Sequence, residues 1–219
     1  MAFLATFISL LTLVTPALSA TNCSTGAFTV MSIRSGTFIQ NLPLTAADTN
    51  FYLGGTTSTA CPEDVAEYDA CPPGDETVID YSNYLVCLPT IPKFLLTTKM
   101  ANDEQSSGYV QEIYVDPTGA LKFVEAHTTY MDPGASTSTF CYTPGTSYGQ
   151  WTYTGLGATG FMACPLDEDE EVNGGAWQVF AAMKNATVPS GNVSDCLQFE
   201  ALAYPWVSNG SSIAAWQYD

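Results

Sequence analysis

The sequence predicts an all-β, disulfide-stabilised domain delivered outside the cell. Three observations predict it. Short segments rich in Val, Ile, Phe, Tyr and Trp recur between turn residues along the whole chain. No stretch reads as a long helix, because proline and glycine interrupt every candidate early. Seven cysteines follow an apolar leader, as in chains that oxidise after export.

The leader is MAFLATFISLLTLVTPALSA, residues 1–20, with a break at Pro16 and small residues at Ser19 and Ala20. It reads as a secretory signal cut after Ala20, with only the amino terminus supplying positive charge. Residues 21–219 then form one disulfide-stabilised β-rich domain, long enough for its own core. FTVMSI begins the first strand at Phe28. RSG at 34–36 predicts a hairpin turn, with strand resuming at Phe38 and Ile39. NFYLGG, from Asn50, is a short strand ending in a glycine turn. ETVIDYSNYLVCLPT places Val78, Ile79, Tyr84, Leu85 and Val86 around a tight turn at Ser82 and Asn83.

The clearest hairpin is YVQEIYVDPTGALKFVEA. Val110, Ile113 and Val115 lead into DPTG, where Pro117 presets the turn and Gly119 relaxes it. Leu121, Phe123 and Val124 begin the return. QWTYTGLGATGFMACP gives Trp151 and Tyr153, a glycine-rich turn, then Phe161 and Met162. GAWQVFAAM follows, and DCLQFEALAYPWV supplies either a last pair of strands or one long strand. AAMKNA at 181–186 is long enough for one helical turn before Pro189 and Gly191. A single compact antiparallel barrel or a β-trefoil-like domain closes such strands on themselves, and a β-sandwich is the alternative.

The 22 acidic and 5 basic residues give a formal charge of −17, which disfavours nucleic acid and anionic membranes. The ending SSIAAWQYD lacks the apolar tail of a glycolipid anchor, so no membrane anchor is expected. Cys23, Cys61, Cys71, Cys87, Cys141, Cys164 and Cys196 are disulfide candidates. Cys61 with Cys71 and Cys164 with Cys196 are plausible partners, but spacing alone does not fix the map. The odd cysteine leaves room for a disulfide-linked dimer. Sequons at Asn22, Asn185, Asn192 and Asn209 are candidates for N-glycans on exposed loops.

The motifs that carry chemistry are sparse. No CxxC pair occurs and His127 is the sole histidine, so neither a zinc site nor a Ser-His-Asp site is expected. The acidic run Asp167–Glu171 fails the EF-hand pattern. Counting from Asp167, Val172 stands where the turn glycine belongs and Gln178 where the bidentate glutamate belongs. It reads as a charged connection between two strands, with weak cation binding left open. Glu112 and Glu125 flank DPTG and are the best guess at a glycosidase-type carboxylate pair. No catalytic set, resident metal or cofactor is expected. Trp151 and Trp177 lie inside apolar strands and read as core. Trp151, Tyr153, Trp206 and Trp216 are the aromatic candidates for stacking on sugar rings, with core packing the simpler reading of Trp151 and with Trp206 and Trp216 the more exposed by position.

FTVMSIRSGTFIQNLPL at 28–44, QEIYVDPTG at 111–119, FMACP at 161–165, GAWQVFA at 175–181 and the DC at 195–196 carry a resemblance. They resemble a family of small fungal secreted cell-wall proteins. That family includes a wall protein needed for phialide and conidium development in Aspergillus, and related IgE-binding, allergen-like proteins. The chain departs from the family pattern at Pro117, where a basic residue often stands, and in its long acidic run. The resemblance implies a glycosylated, wall-associated extracellular β domain with a non-enzymatic structural or developmental role. Its expected partners are wall polysaccharide or wall glycoproteins. A carbohydrate-binding or effector-like secreted protein is the alternative, and a glycoside hydrolase a distant third.

Overall fold

The structure is a computed structural model that describes residue 23 and residues 26–80, 83–85, 111–166, 176–207 and 214–219. The leader, Asn22, Cys87, Asn209 and the acidic run at 167–171 lie outside the described residues. The strands are β1 (Phe28–Ile33), β2 (Leu44–Ala47), β3 (Asn50–Leu53), β4 (Thr59–Ala60), β5 (Tyr84–Leu85), β6 (Gln111–Val115) and β7 (Leu121–Phe123). They continue as β8 (Phe140–Thr143), β9 (Gly149–Tyr153), β10 (Phe161–Cys164), β11 (Trp177–Ala181), β12 (Leu197–Pro205) and β13 (Gln217–Tyr218).

Eleven of these strands form one antiparallel sheet, and β13 with β4 forms a second. The long strand β12 is the spine. Leu197, Gln198 and Phe199 pair with β10, while Ala201, Leu202 and Ala203 lie between β9 on one edge and β1 on the other. From β10 the sheet continues through β11, β3, β7 and β6 to β5. Single-residue bridges from Ile79 to Leu85 and to Phe28 then bring the β5 end back toward β1. The result is a curled, half-barrel sheet with almost no helix, the all-β class expected from the sequence. Curling removes most open edges, which would otherwise be templates for aggregation.

The core fills the concave side. Phe28, Phe51, Ile113, Phe123, Trp151, Tyr153 and Phe161 are all at most 1% exposed. Alternation decides which residues enter it. Along β12, Phe199, Ala201 and Ala203 are buried, whereas Gln198, Glu200 and Tyr204 are exposed.

The DPTG hairpin forms as expected, with Ile113 opposite Phe123 and Val115 opposite Leu121. The Asp116 carboxylate accepts hydrogen bonds from the backbone N–H groups of Thr118 (2.9 Å) and Ala120 (3.0 Å). Gly119 takes the positive φ of 95° that this turn requires. DCLQFEALAYPWV makes one long strand, and AAMKNA makes a turn with no helix.

The expected RSG hairpin is corrected. Residues 34–41 form a broad loop, and Phe38 and Ile39 are not in a strand. Backbone bonds close its base, where Ser32 N–H donates to the Leu42 carbonyl at 3.0 Å and Asn41 N–H to the Ser32 carbonyl at 2.9 Å, and side chains hold the rest. The Ser32 hydroxyl donates to the Ile39 carbonyl, and the Gln40 side-chain oxygen accepts from Arg34 N–H at 2.7 Å. Ile39 is thereby turned fully inward and Phe38 is left 87% exposed.

Disulfides join Cys23 to Cys141, Cys61 to Cys71 and Cys164 to Cys196. The last follows directly from register: Ala163 lies opposite Leu197, so the next residues outward face each other. With six of the seven cysteines paired, the odd one is Cys87. Alkylation of unfolded, unreduced protein is therefore expected to add one group per chain, at Cys87. Three adducts in the intact mass would contradict the pairing. A doubled mass without adducts would place the same cysteine in a dimer.

Candidate functional site

The outer face of β1, β12 and β9 carries the most distinctive surface. Cross-strand register sets Thr29 beside Tyr204, Met31 beside Leu202, and Leu202 beside Gln150. Two open clefts share this face. The first, of about 490 Å³, lies between β1, β2 and the segment 74–77; Thr29, Asp75, Glu76 and Tyr204 are among its lining residues. The second, of about 430 Å³, lies under the β8–β9 turn and is lined by residues that include Tyr148, Gln150, Glu200 and Leu202.

Tyr204 lines the first cleft and Tyr148 the second. Their ring centroids are 6.1 Å apart and their planes are inclined by 52°. Tyr148 is 51% exposed and Tyr204 36%. Local sequence explains both positions. Tyr204 falls on the outward parity of β12, opposite in sense to Ala203. Tyr148 tops the tight PGTSYG turn. Gly149 at its base has no room for a side chain, since a Cβ there would sit 2.5 Å from the Thr143 carbonyl oxygen and from the Tyr142 ring.

Trp206, a sequence candidate for sugar contact, is half-buried and sits beside the first cleft. Its indole N–H donates to Glu76 Oε2 at 3.1 Å, so it orients a lining carboxylate. The backbone of Glu76 is held from the other side, where the Tyr218 hydroxyl donates to its carbonyl at 2.9 Å. Trp216 is half-buried in the C-terminal segment and lines neither cleft. Trp151 is core, as expected, and Trp177 packs half-buried against it.

The other sequence candidates do not converge. Ile113 pairs with Phe123, and Val124 N–H donates to the Glu112 carbonyl at 2.9 Å. That register sets Glu112 opposite Val124, one residue out of step with Glu125. Glu125 lies beyond the end of β7 and is exposed, whereas Glu112 is half-buried on β6 beside Tyr84, so the two do not form a cross-strand pair. His127 is exposed, at a positive φ of 65°. Among the described residues, no three His, Cys, Asp or Glu side chains gather as a metal site. Asn185 and Asn192 are exposed; both precede β12, at the end remote from Tyr204.

The shifted titrations belong to tyrosines elsewhere. Burial, then the Asp132 and Asp116 carboxylates, push Tyr114 up to about 12. Burial, then Glu112 and Asp80, raise Tyr84; burial raises Tyr153 against the nearby Ser136 and Thr139 hydroxyls. A phenol that holds its proton longer when folded adds stability below its unfolded pKa of about 10. That contribution disappears as pH rises from 10 to about 12. Tm is expected to fall across this window, and Tyr114→Phe to flatten the fall. An unchanged slope in that variant would contradict the assignment.

Comparison with known families settles the chain's relatives. The profile of a family described as PhiA-like secreted protein matches residues 28–219, nearly all of the predicted mature chain. The chain belongs to the PhiA-like secreted protein family. A relative from Arthroderma benhamiae, described as an uncharacterized secreted protein, is 38% identical over 181 residues, covering 82% of this chain and 79% of its own. No solved structure matches the chain significantly. The fungal secreted family that the sequence resembles is thus the family it belongs to, and the PhiA-like chain is a secreted fungal protein. Parity along LQFEALAYP is the signal that points to Tyr204, because Phe199, Ala201 and Ala203 form the inward set. Tyr148 has no such signal, because it sits in a turn.

Proposed function

We propose that this PhiA-like protein is a wall-associated, non-enzymatic glycoprotein with a structural or developmental role at the fungal surface. The observation that carries the reading is the outer face of β1, β12 and β9. There Tyr204 on β12 and Tyr148 on the β8–β9 turn present two exposed rings between two open clefts. Such a surface holds a partner by shape and stacking. The absence of a cross-strand pairing between Glu112 and Glu125 supports holding over hydrolysis, because glycoside cleavage needs carboxylates facing one bond. The acidic surface and the exposed sequons at Asn185 and Asn192 suit a soluble extracellular glycoprotein.

Fractionation of fungal walls tests the reading. Tagged protein is expected in the washed wall pellet, with a mass that falls after endoglycosidase treatment. Recovery entirely in the medium would overturn wall association. Release of sugar from purified wall glycans, abolished by changing one carboxylate, would overturn the non-enzymatic role.

A further inference from the structure

We infer that Tyr148 and Tyr204, with the clefts on either side, form a binding site for a single soluble, non-anionic chain of β-linked pyranose sugars. This deepens the wall-associated reading and rests on it for the source of the ligand.

Exposed aromatic rings, one on β12 and one on the tight turn before β9, offer contact area at little entropic cost, since tyrosine has few rotamers to lose. A pyranose ring with equatorial substituents presents flat C–H faces to such a ring, whereas an axial substituent lifts the sugar away. The 52° inclination then selects the form of the polymer. Coplanar rings would suit the flat face of a crystalline glycan. Inclined rings 6.1 Å apart suit a chain that twists from one sugar to the next.

The cleft walls select by charge. Asp75 and Glu76 line the first cleft, and Glu200 with Gln150 the second. Carboxylates accept hydrogen bonds from sugar hydroxyls, and the amide both accepts and donates them. The same carboxylates, on a chain of formal charge −17, repel uronates and phosphorylated glycans. Glu76 is preset for this role by the Trp206 indole N–H. Polar groups on both sides of a stacking ledge set the orientation of the chain that crosses it.

The test uses the secreted, glycosylated full-length protein in calorimetric titrations. The probes are hexaoses of β-1,3-glucose, of β-1,4-N-acetylglucosamine and of its deacetylated form, with hexagalacturonate as the anionic comparison. One or more of the first three is expected to bind, and which one identifies the source. Powdered crystalline chitin is expected to retain little protein. Tyr204→Ala and Tyr148→Ala should each weaken binding on the order of tenfold, while Tyr→Phe at either position keeps it. Phe38→Ala removes an exposed ring that lines neither cleft and should leave binding unchanged. No binding to any of the three hexaoses, preferred binding of hexagalacturonate, or equal loss in Phe38→Ala overturns the site. Thermal melts confirm that the variants fold. Wall retention without hexaose binding sinks the site and leaves the wall reading. Hexaose binding by a protein absent from the wall does the reverse.

Discussion

Trp151→Ala is expected to lower stability by about 3–5 kcal/mol, enough to unfold much of the population at moderate denaturant. Trp151 is 1% exposed and joins three parts of the sheet. It sits on β9 between Tyr142 of β8 and Ala201 of β12. Its ring stacks on Phe140 at 5.5 Å, meets Phe161 at 4.6 Å and approaches Phe28 at 6.0 Å. Truncation removes the common member of all three contacts and leaves a void that β-strands cannot collapse to fill. Trp151→Phe keeps most of the aromatic volume. The indole N–H it deletes has no acceptor among the described residues, so no hydrogen bond is lost with it. The phenylalanine variant should therefore cost under about 1.5 kcal/mol. Urea midpoints with an unchanged m-value measure both changes. Equal losses in the two variants would show that the core needs the full indole shape and that a smaller aromatic ring does not preserve the packing.

The contrast between Trp151 and the ledge marks how far the sequence could be read. Trp151 was legible as core because apolar strand residues and glycine turns surround it in the chain. The DPTG hairpin was legible for a local reason too: Asp116, Pro117 and Gly119 supply the turn's hydrogen bonds and dihedrals from within four residues. The pairing of β1 with β12 was not legible. It joins opposite ends of the chain, and nothing near Thr29 names Tyr204 as its neighbour. The clefts arise from that pairing, so they could not be read either. The sequence points to exposed aromatics at Trp206 and Trp216 because one lies near a sequon and the other near the terminus. The fold half-buries both: Trp206 is held by bonds to the Ala27 carbonyl and Glu76, and Trp216 adjoins β13, which pairs with β4. Phe38 and Ile39 misled for another reason. Their side chains favour strands, but the Ser32 hydroxyl's bond to the Ile39 carbonyl and the Arg34 N–H bond to Gln40 hold them in a loop, and backbone pairing resumes only at Asn41 and Leu42.

Tyr218→Ala is expected to be the costliest single change near the cleft, at about 3–5 kcal/mol from the lost ring alone. Tyr218 is 1% exposed in the two-residue strand β13, which a two-strand ladder alone could not hold. Side-chain bonds hold it. Gln111, itself 1% exposed, accepts from Tyr218 N–H and donates to the Tyr218 carbonyl, both at 2.8 Å. The Tyr218 hydroxyl accepts from Val78 N–H at 3.2 Å and donates to the Glu76 carbonyl at 2.9 Å. Gln111→Leu leaves these backbone groups of Tyr218 buried without their amide partner, at about 2–4 kcal/mol. Tyr218→Phe keeps the ring near Phe123 and removes only the hydroxyl, at about 1–3 kcal/mol. The phenylalanine variant separates packing from positioning. It frees the backbone of Glu76 and Val78 while leaving β13 seated, so segment 74–78 should open locally before the sheet does. Amide hydrogen exchange is expected to speed up there, with protection in β9 and β12 unchanged. Affinity for the hexaose should fall in the same variant, although Tyr148 and Tyr204 are intact, because Glu76 then has only Trp206 to hold it. Faster exchange with undiminished affinity would mean that Glu76 does not contact the sugar, and that Tyr218 serves the fold alone.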